Sequence, residues 1–123
     1  MHNLSDDVCE MNQFILDGKT LEAMEKFYAD EVTMQENEDP PRSGKQVWLD
    51  HEKENLNKIQ ELKTSLLHQA IDHDHGIVFS EWEMKFITTS GICYLLTEVS
   101  VQQWQSKKII KKKFYYKDIR RTN

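Results

Sequence analysis

Residues 62–86 read LKTSLLHQAIDHDHGIVFSEWEMKF. Apolar and polar side chains alternate on both sides of Asp72-His73-Asp74-His75-Gly76, and that centre is made of residues that suit a turn. The stretch therefore predicts an antiparallel hairpin. Closing it with a two- or a four-residue turn gives one register, with Ile71 opposite Val78, Gln69 opposite Ser80 and Leu67 opposite Trp82. That face is mostly apolar and is expected to point inward. The other face carries His68 beside Glu81, an exposed pair, and Leu66 beside Glu83. His73 and His75 have a second reading, because on a strand they would project to one face about 7 Å apart, within reach of one ion if other ligands converged. Nothing else in the sequence supplies those ligands, so a turn is expected and no metal.

The period of two continues downstream, with further breaks at Thr88 to Gly91 and Gln105 to Lys108. Four long strands joined by short turns make an antiparallel meander. Upstream, Val8, Met11, Ile15 and Leu16 recur at helical spacing behind Ser5, Asp6 and Asp7, and Asp17-Gly18 ends that helix. A second, short helix follows Thr20, with Leu21, Met24, Phe27 and Tyr28 as its stripe. Val32, Met34 and Glu36 then alternate as a strand, and residues 37–43 form a loop around Pro40-Pro41. Gly44 opens a third helix, KQVWLDHEKENLNKIQELK, whose apolar side includes Val47, Trp48, His51, Leu56, Ile59 and Leu62. Helices first and sheet afterwards predict an α+β domain in which a curved antiparallel sheet wraps its apolar face around N-terminal helices.

The chain has 123 residues, enough for one domain with a core that needs neither disulfide nor metal. Cys9 and Cys93 are isolated thiols, as expected in a reducing compartment, and no leader-like or membrane-spanning apolar run is present. A cytoplasmic protein without membrane contact is expected. The net charge of −5 argues against nucleic-acid binding, although eight of the sixteen basic residues lie between Lys107 and Arg121. Folding the last hairpin at Ser106-Lys107 sets Val99 opposite Phe114, Val101 opposite Lys112 and Thr97 opposite Tyr116 on the inner face. Lys111 and Lys113 then alternate outward, with Glu98 as a diagonal neighbour of Lys113 and Lys117. Lys112 stands out. A lysine on an apolar inner face must find a counter-charge, reach water or give up its proton; a β-bulge in the last strand would turn it outward.

Two stretches, EKFYADEVTMQENEDPPRSGKQVWLDH and TEVSVQQWQSKKIIKKKFYYKD, resemble the nuclear transport factor 2-like superfamily, in particular its SnoaL-like branch, which is related to polyketide cyclases and ketosteroid isomerases. With the order of elements, the resemblance covers nearly all of residues 1–123 as one domain. It implies a cystatin-like, SnoaL-like α+β barrel: a cone-shaped curved sheet, a deep pocket between sheet and helices, and a homodimer built through the outer face of the sheet. Catalytic relatives place an Asp, Glu or His in the cone to move a proton beside a carbonyl group, without a cofactor. Here Lys112 occupies a position that is often a carboxylate, which argues against copying that chemistry directly.

The expected site therefore has Glu36, His51 and Lys112 as candidate acid/base groups, and Tyr28, Trp48, Gln69, Trp82, Thr97 and Tyr116 as candidate ligand-binding residues. His51 follows Val47 by four residues and Trp48 by three, at the border of the buried face. A Glu36–Lys112 pair across the pocket would suit a carboxylate or carbonyl ligand. Arg42 is placed to pair with Glu38 or Asp39, or to meet an anion at the third helix's N-terminus. The expected partner is a small hydrophobic or aromatic molecule, bound with or without proton transfer. The alternative is a non-catalytic module acting through the outer face of its sheet.

Overall fold

The computed structural model describes residues 3–123. Its elements run α1 (Leu4–Leu16), α2 (Thr20–Phe27), β1 (Tyr28–Glu36), β2 (Arg42–Ser43), α3 (Lys45–Leu56), β3 (Ile59–Asp72), β4 (Ile77–Thr88), β5 (Cys93–Gln105), β6 (Lys108–Tyr115) and β7 (Arg120–Arg121). Two helices, β1, β2 and a third helix precede the meander of β3 to β6, an α+β order. The strands form one curved, unclosed sheet in the order β2-β1-β6-β5-β4-β3, with β7 paired to β5. All neighbouring pairs are antiparallel except β1 and β6, which run parallel, so the sheet is mixed where a wholly antiparallel one was expected.

Asn3 starts α1: its side chain accepts from the Asp6 N–H at 3.0 Å while Asp6 accepts from the Asn3 N–H at 3.3 Å. This reciprocal cap lies two residues ahead of the Ser5 that the sequence suggested. Helix α3 ends at Leu56 rather than Lys63, and Ile59 and Leu62 are strand residues paired with Thr88 and Phe86. The reason is tertiary, since β4 offers a ladder to this segment and the Thr89 N–H already holds the Lys58 carbonyl at 3.0 Å, outweighing helix propensity.

The first hairpin turns at residues 73–76 and pairs Ile71 with Val78 and Gln69 with Ser80, as expected. Gly76 has φ +67°, and a Cβ there would lie 2.8 Å from the Trp104 carbonyl oxygen, so this position admits only glycine. Beyond His68 the expected register fails. Leu66, not Leu67, sits opposite Trp82, because Leu67 is the extra residue of a β-bulge; a second irregularity at Gln60 follows the same pattern. Each bulge reverses which residues face inward, so Ile59, Leu62, Thr64, Leu66, Gln69 and Ile71 share one face despite their uneven spacing.

Strand β6 holds a third bulge. Trp104 pairs with Ile109, yet Gln103 pairs with Lys111, leaving Ile110 as the extra residue. Lys112 consequently lies opposite Gln102 instead of Val101, and Phe114 opposite Ser100 instead of Val99. The expectation for β5 is inverted by this shift: Glu98, Ser100, Gln102 and Trp104 face inward, while Thr97 and Val99 are exposed. Lys112 remains inward because the bulge offsets the turn-proximal register, in which Ile109 already faces the core.

The core joins Val8 and Met11 of α1, Met24 and Phe27 of α2, Trp48 and Leu49 of α3, and Val32, Val78, Trp104 and Ile109 of the sheet. Ile109 is 0% exposed and Leu67 is 42% exposed. Ile109→Ala is expected to lower unfolding free energy by about 2–5 kcal/mol, whereas Leu67→Ala should cost less than about 1 kcal/mol. Urea titrations of the two variants check the bulge assignment directly.

Candidate functional site

Between the inner face of the sheet and the three helices lies a cavity of about 570 Å³, so the cone is not packed solid. Its apolar wall includes Met24, Met34, Trp48, Trp82, Met84 and Phe114. Its ionisable and amide groups include Tyr28 and Glu36 from the two ends of β1, His51 and Glu52 from α3, Glu98 and Gln102 from β5, and Lys112 from β6, with Tyr116 just after that strand.

Glu36 takes one hydrogen bond and lies near one imidazole. The Tyr116 hydroxyl donates to its Oε2 at 3.0 Å, and the His51 Nε2 lies 3.7 Å from its Oε1. Nε2 also lies 3.3 Å from the Asn55 amide nitrogen, and the His51 ring meets Trp48 edge-on at 5.6 Å. Loss of solvent and the bond to Glu36 push the Tyr116 phenol up to about 12, so it is a proton donor in this contact. The Lys112 ammonium donates to the Tyr28 hydroxyl at 3.3 Å and lies 5.9 Å and 5.2 Å from the Tyr28 and Phe114 ring centres. Burial alone would lower its pKa. The Tyr28 oxygen and the carboxylates of Glu98 and Glu52 outweigh that effect, so its pKa is raised and the lysine is charged.

Glu52 and Glu98 were not among the expected residues. Burial raises the pKa of both carboxyl groups above 4.5 against the opposing pull of Lys112, and Glu36 adds to the upward push on each. Among the described residues neither carboxylate has a hydrogen bond or an ion pair within 4 Å. The spacing of α3 carries a signal for Glu52, because Trp48, Leu49, Glu52 and Leu56 form a helical stripe with Glu52 at its centre. No such signal exists for Glu98, whose side of the sheet depends on the bulge at Ile110.

Of the expected residues, the structure brings Glu36, His51, Lys112, Tyr28, Trp48, Trp82 and Tyr116 to the cavity. Glu36 and Lys112 do not pair directly; each is bonded to a tyrosine instead. Gln69 faces inward but lies outside the cavity lining, where it exchanges hydrogen bonds with Asn12 at 2.8 and 3.3 Å and donates to Ser80 at 2.9 Å, tying β3 to α1. Thr97 is on the outer face. Glu98 is not the outer neighbour of Lys113; that lysine pairs with Glu38 at 3.3 Å. Arg42 lies over the Trp48 ring at 4.8 Å, and its carbonyl accepts the Trp48 indole N–H at 3.0 Å. Its guanidinium therefore braces the wall from outside rather than pairing with Glu38 or Asp39. His68 and Glu81 form the expected exposed pair at 2.7 Å, and His75 bonds to Asp72 at 2.8 Å within the turn. Among the described residues, no three His, Cys, Asp or Glu side chains are grouped so as to hold a metal ion, and no helix is long and apolar enough to cross a membrane.

No family model and no curated protein matches the sequence. Solved structures do match. A nuclear transport factor 2-like protein of unknown function from Burkholderia pseudomallei superposes with a TM-score of 0.78 at 11% identity, covering 95% of this chain and 92% of that one. A protein from Mesorhizobium loti named for its likeness to SnoaL-like polyketide cyclases gives 0.74 at 15% identity, covering 94% and 100%. A similarly named protein from Jannaschia gives 0.73 at 8% identity, covering 89% and 85%. The chain has the nuclear transport factor 2-like, SnoaL-like fold.

The raised carboxyl pKa values have a defined sign. The folded state keeps the Glu52 and Glu98 protons to higher pH than the unfolded chain does, so these two groups make stability fall as pH rises above about 4.5. Glu98→Gln is expected to melt at a higher temperature than the parent at pH 7, with the difference disappearing below about pH 4. Melting curves across that range check it.

Proposed function

We propose that the chain binds a small, mostly apolar molecule inside the cone and moves a proton on it beside a carbonyl group, without a cofactor. The observation that carries this reading is an open cavity of about 570 Å³ whose largely aromatic and aliphatic wall is interrupted by ionisable groups that include Glu36, His51 and Lys112. Cavities of this kind bury a ligand's flat apolar body and use the polar groups to orient it. The names of the neighbours with this fold are compatible with that reading.

For the chemistry, Glu36 or His51 is the candidate base. Taking a proton from the carbon next to a carbonyl leaves an enolate, whose oxygen would be stabilised by the Lys112 ammonium or the Tyr116 hydroxyl; returning the proton completes an isomerisation with no net loss. The probe is 2-tetralone, a flat enolisable ketone, in heavy water. Deuterium is expected to enter its α-carbons faster with the protein than in buffer, and Glu36→Gln should slow that exchange by about 10²-fold. Exchange at the buffer rate, together with ligand-induced thermal stabilisation, would leave binding without catalysis.

A second reading concerns the outer face of the sheet. Phe79, Val99 and Tyr115 are 46%, 38% and 43% exposed, and strand pairing makes them neighbours. Such a patch on a sheet favours a second copy of the chain. Sedimentation is expected to show a dimer that Val99→Glu converts to monomer.

A further inference from the structure

We propose that the molecule taken into the cone carries a positive charge, as a protonated amine on an apolar, partly aromatic body, together with an oxygen that accepts a hydrogen bond. This rests on the cavity-binding reading and specifies the chemical class of its ligand.

The first observation is the imbalance of charge. Three carboxylates, Glu36, Glu52 and Glu98, line the cavity. The one ammonium set among them is Lys112, because Lys58, which also lines the cavity, is solvent-exposed. Glu36 is already engaged by Tyr116 and His51, and Lys112 by the Tyr28 hydroxyl. Glu52 and Glu98 have no hydrogen bond or close ion pair among the described residues. Two desolvated carboxylates without a direct partner are costly, and a ligand that supplies N–H donors bearing positive charge relieves that cost twice over. An anionic ligand would instead meet a net excess of like charge.

The second observation is independent of the carboxylates. Gln102 is 2% exposed and lines the cavity. Its Oε1 accepts the Trp104 indole N–H at 3.0 Å. An indole N–H can only donate, so this bond fixes which end of the amide is oxygen. The Gln102 amide NH₂ is left without an acceptor among the described residues. An unpartnered donor facing a cavity gives a ligand oxygen a place to bind. Glu98 and Gln102 lie four residues apart on the same face of β5, so their Cα atoms are about 13 Å apart. An amine at one end and a carbonyl, hydroxyl or ether oxygen at the other fit that span.

The test uses three probes that share one body and differ in charge: 2-naphthylmethylamine, 2-naphthylmethanol and 2-naphthoate, titrated calorimetrically at pH 7 into the full chain. The amine is expected to bind at least about tenfold more tightly than the alcohol, and the naphthoate most weakly. The double variant Glu52→Gln, Glu98→Gln should erase the amine's advantage while alcohol binding persists, and that persisting binding shows that the variant is folded with its cavity intact. Gln102→Leu should weaken the alcohol and leave the affinity of the amine unchanged. If the alcohol and amine bind equally, or the naphthoate binds best, the charge assignment is overturned and the cavity reading stands. If none of the three binds, the cavity reading fails and the charge assignment falls with it.

Discussion

The inward face of this sheet depends on one constraint: a strand that must curve around helices cannot keep a strict period of two along its whole length. Bulges at Gln60, Leu67 and Ile110 absorb the mismatch. Each adds a residue to one strand without adding one to its neighbour, which bends the sheet and exchanges the two faces beyond that point. The bulge at Ile110 has the largest chemical effect. It allows Ile109 to pack in the core and Lys112 to enter the cavity on the same strand, three residues apart, which an unbroken strand forbids. It also sets Glu98 and Gln102 on the same side as Lys112, so the polar end of the cavity follows from a single extra residue.

This explains what could be read from the sequence and what could not. The hairpin at residues 71–78, the strand at Val32, Met34 and Glu36, and the exposed His68–Glu81 pair each depend on a few residues near an unambiguous turn or cap. The errors begin at Leu66-Leu67 and at Ile109-Ile110. Both are apolar doublets, and at a doublet the alternation is satisfied equally well by either residue facing inward. Thr97 was therefore assigned to the wrong face and Glu98 was overlooked, although every residue around them alternated correctly. The end of α3 failed for a different reason: Ile59 and Leu62 fit a helical stripe, and only the waiting edge of β4 makes them strand.

The electrostatics of the cavity follow from division of labour among short-range contacts. Tyr116 and His51 serve Glu36, and Tyr28 serves Lys112. Glu36 and Lys112 thus each have a tyrosine partner and make no direct pair. Glu52 and Glu98 act on Lys112 only through the field. Their carboxyl groups thus remain available to the cavity, beside the apolar walls of Met24, Met34, Trp82 and Met84.

The parallel pairing of β1 with β6 sets how the protein acquires its cavity. Met34 finds its neighbour at Lys112, across most of the chain, with every other long strand and α3 between them in sequence. Closing so long a loop is entropically expensive and is repaid only when the pairing is complete. The pairing of β1 with β6 is therefore a long-range contact that the rest of the sheet must support. Lys112, Phe114 and Tyr116 arrive on the same segment that makes this pairing. The cavity is therefore complete only when β6 has paired with β1.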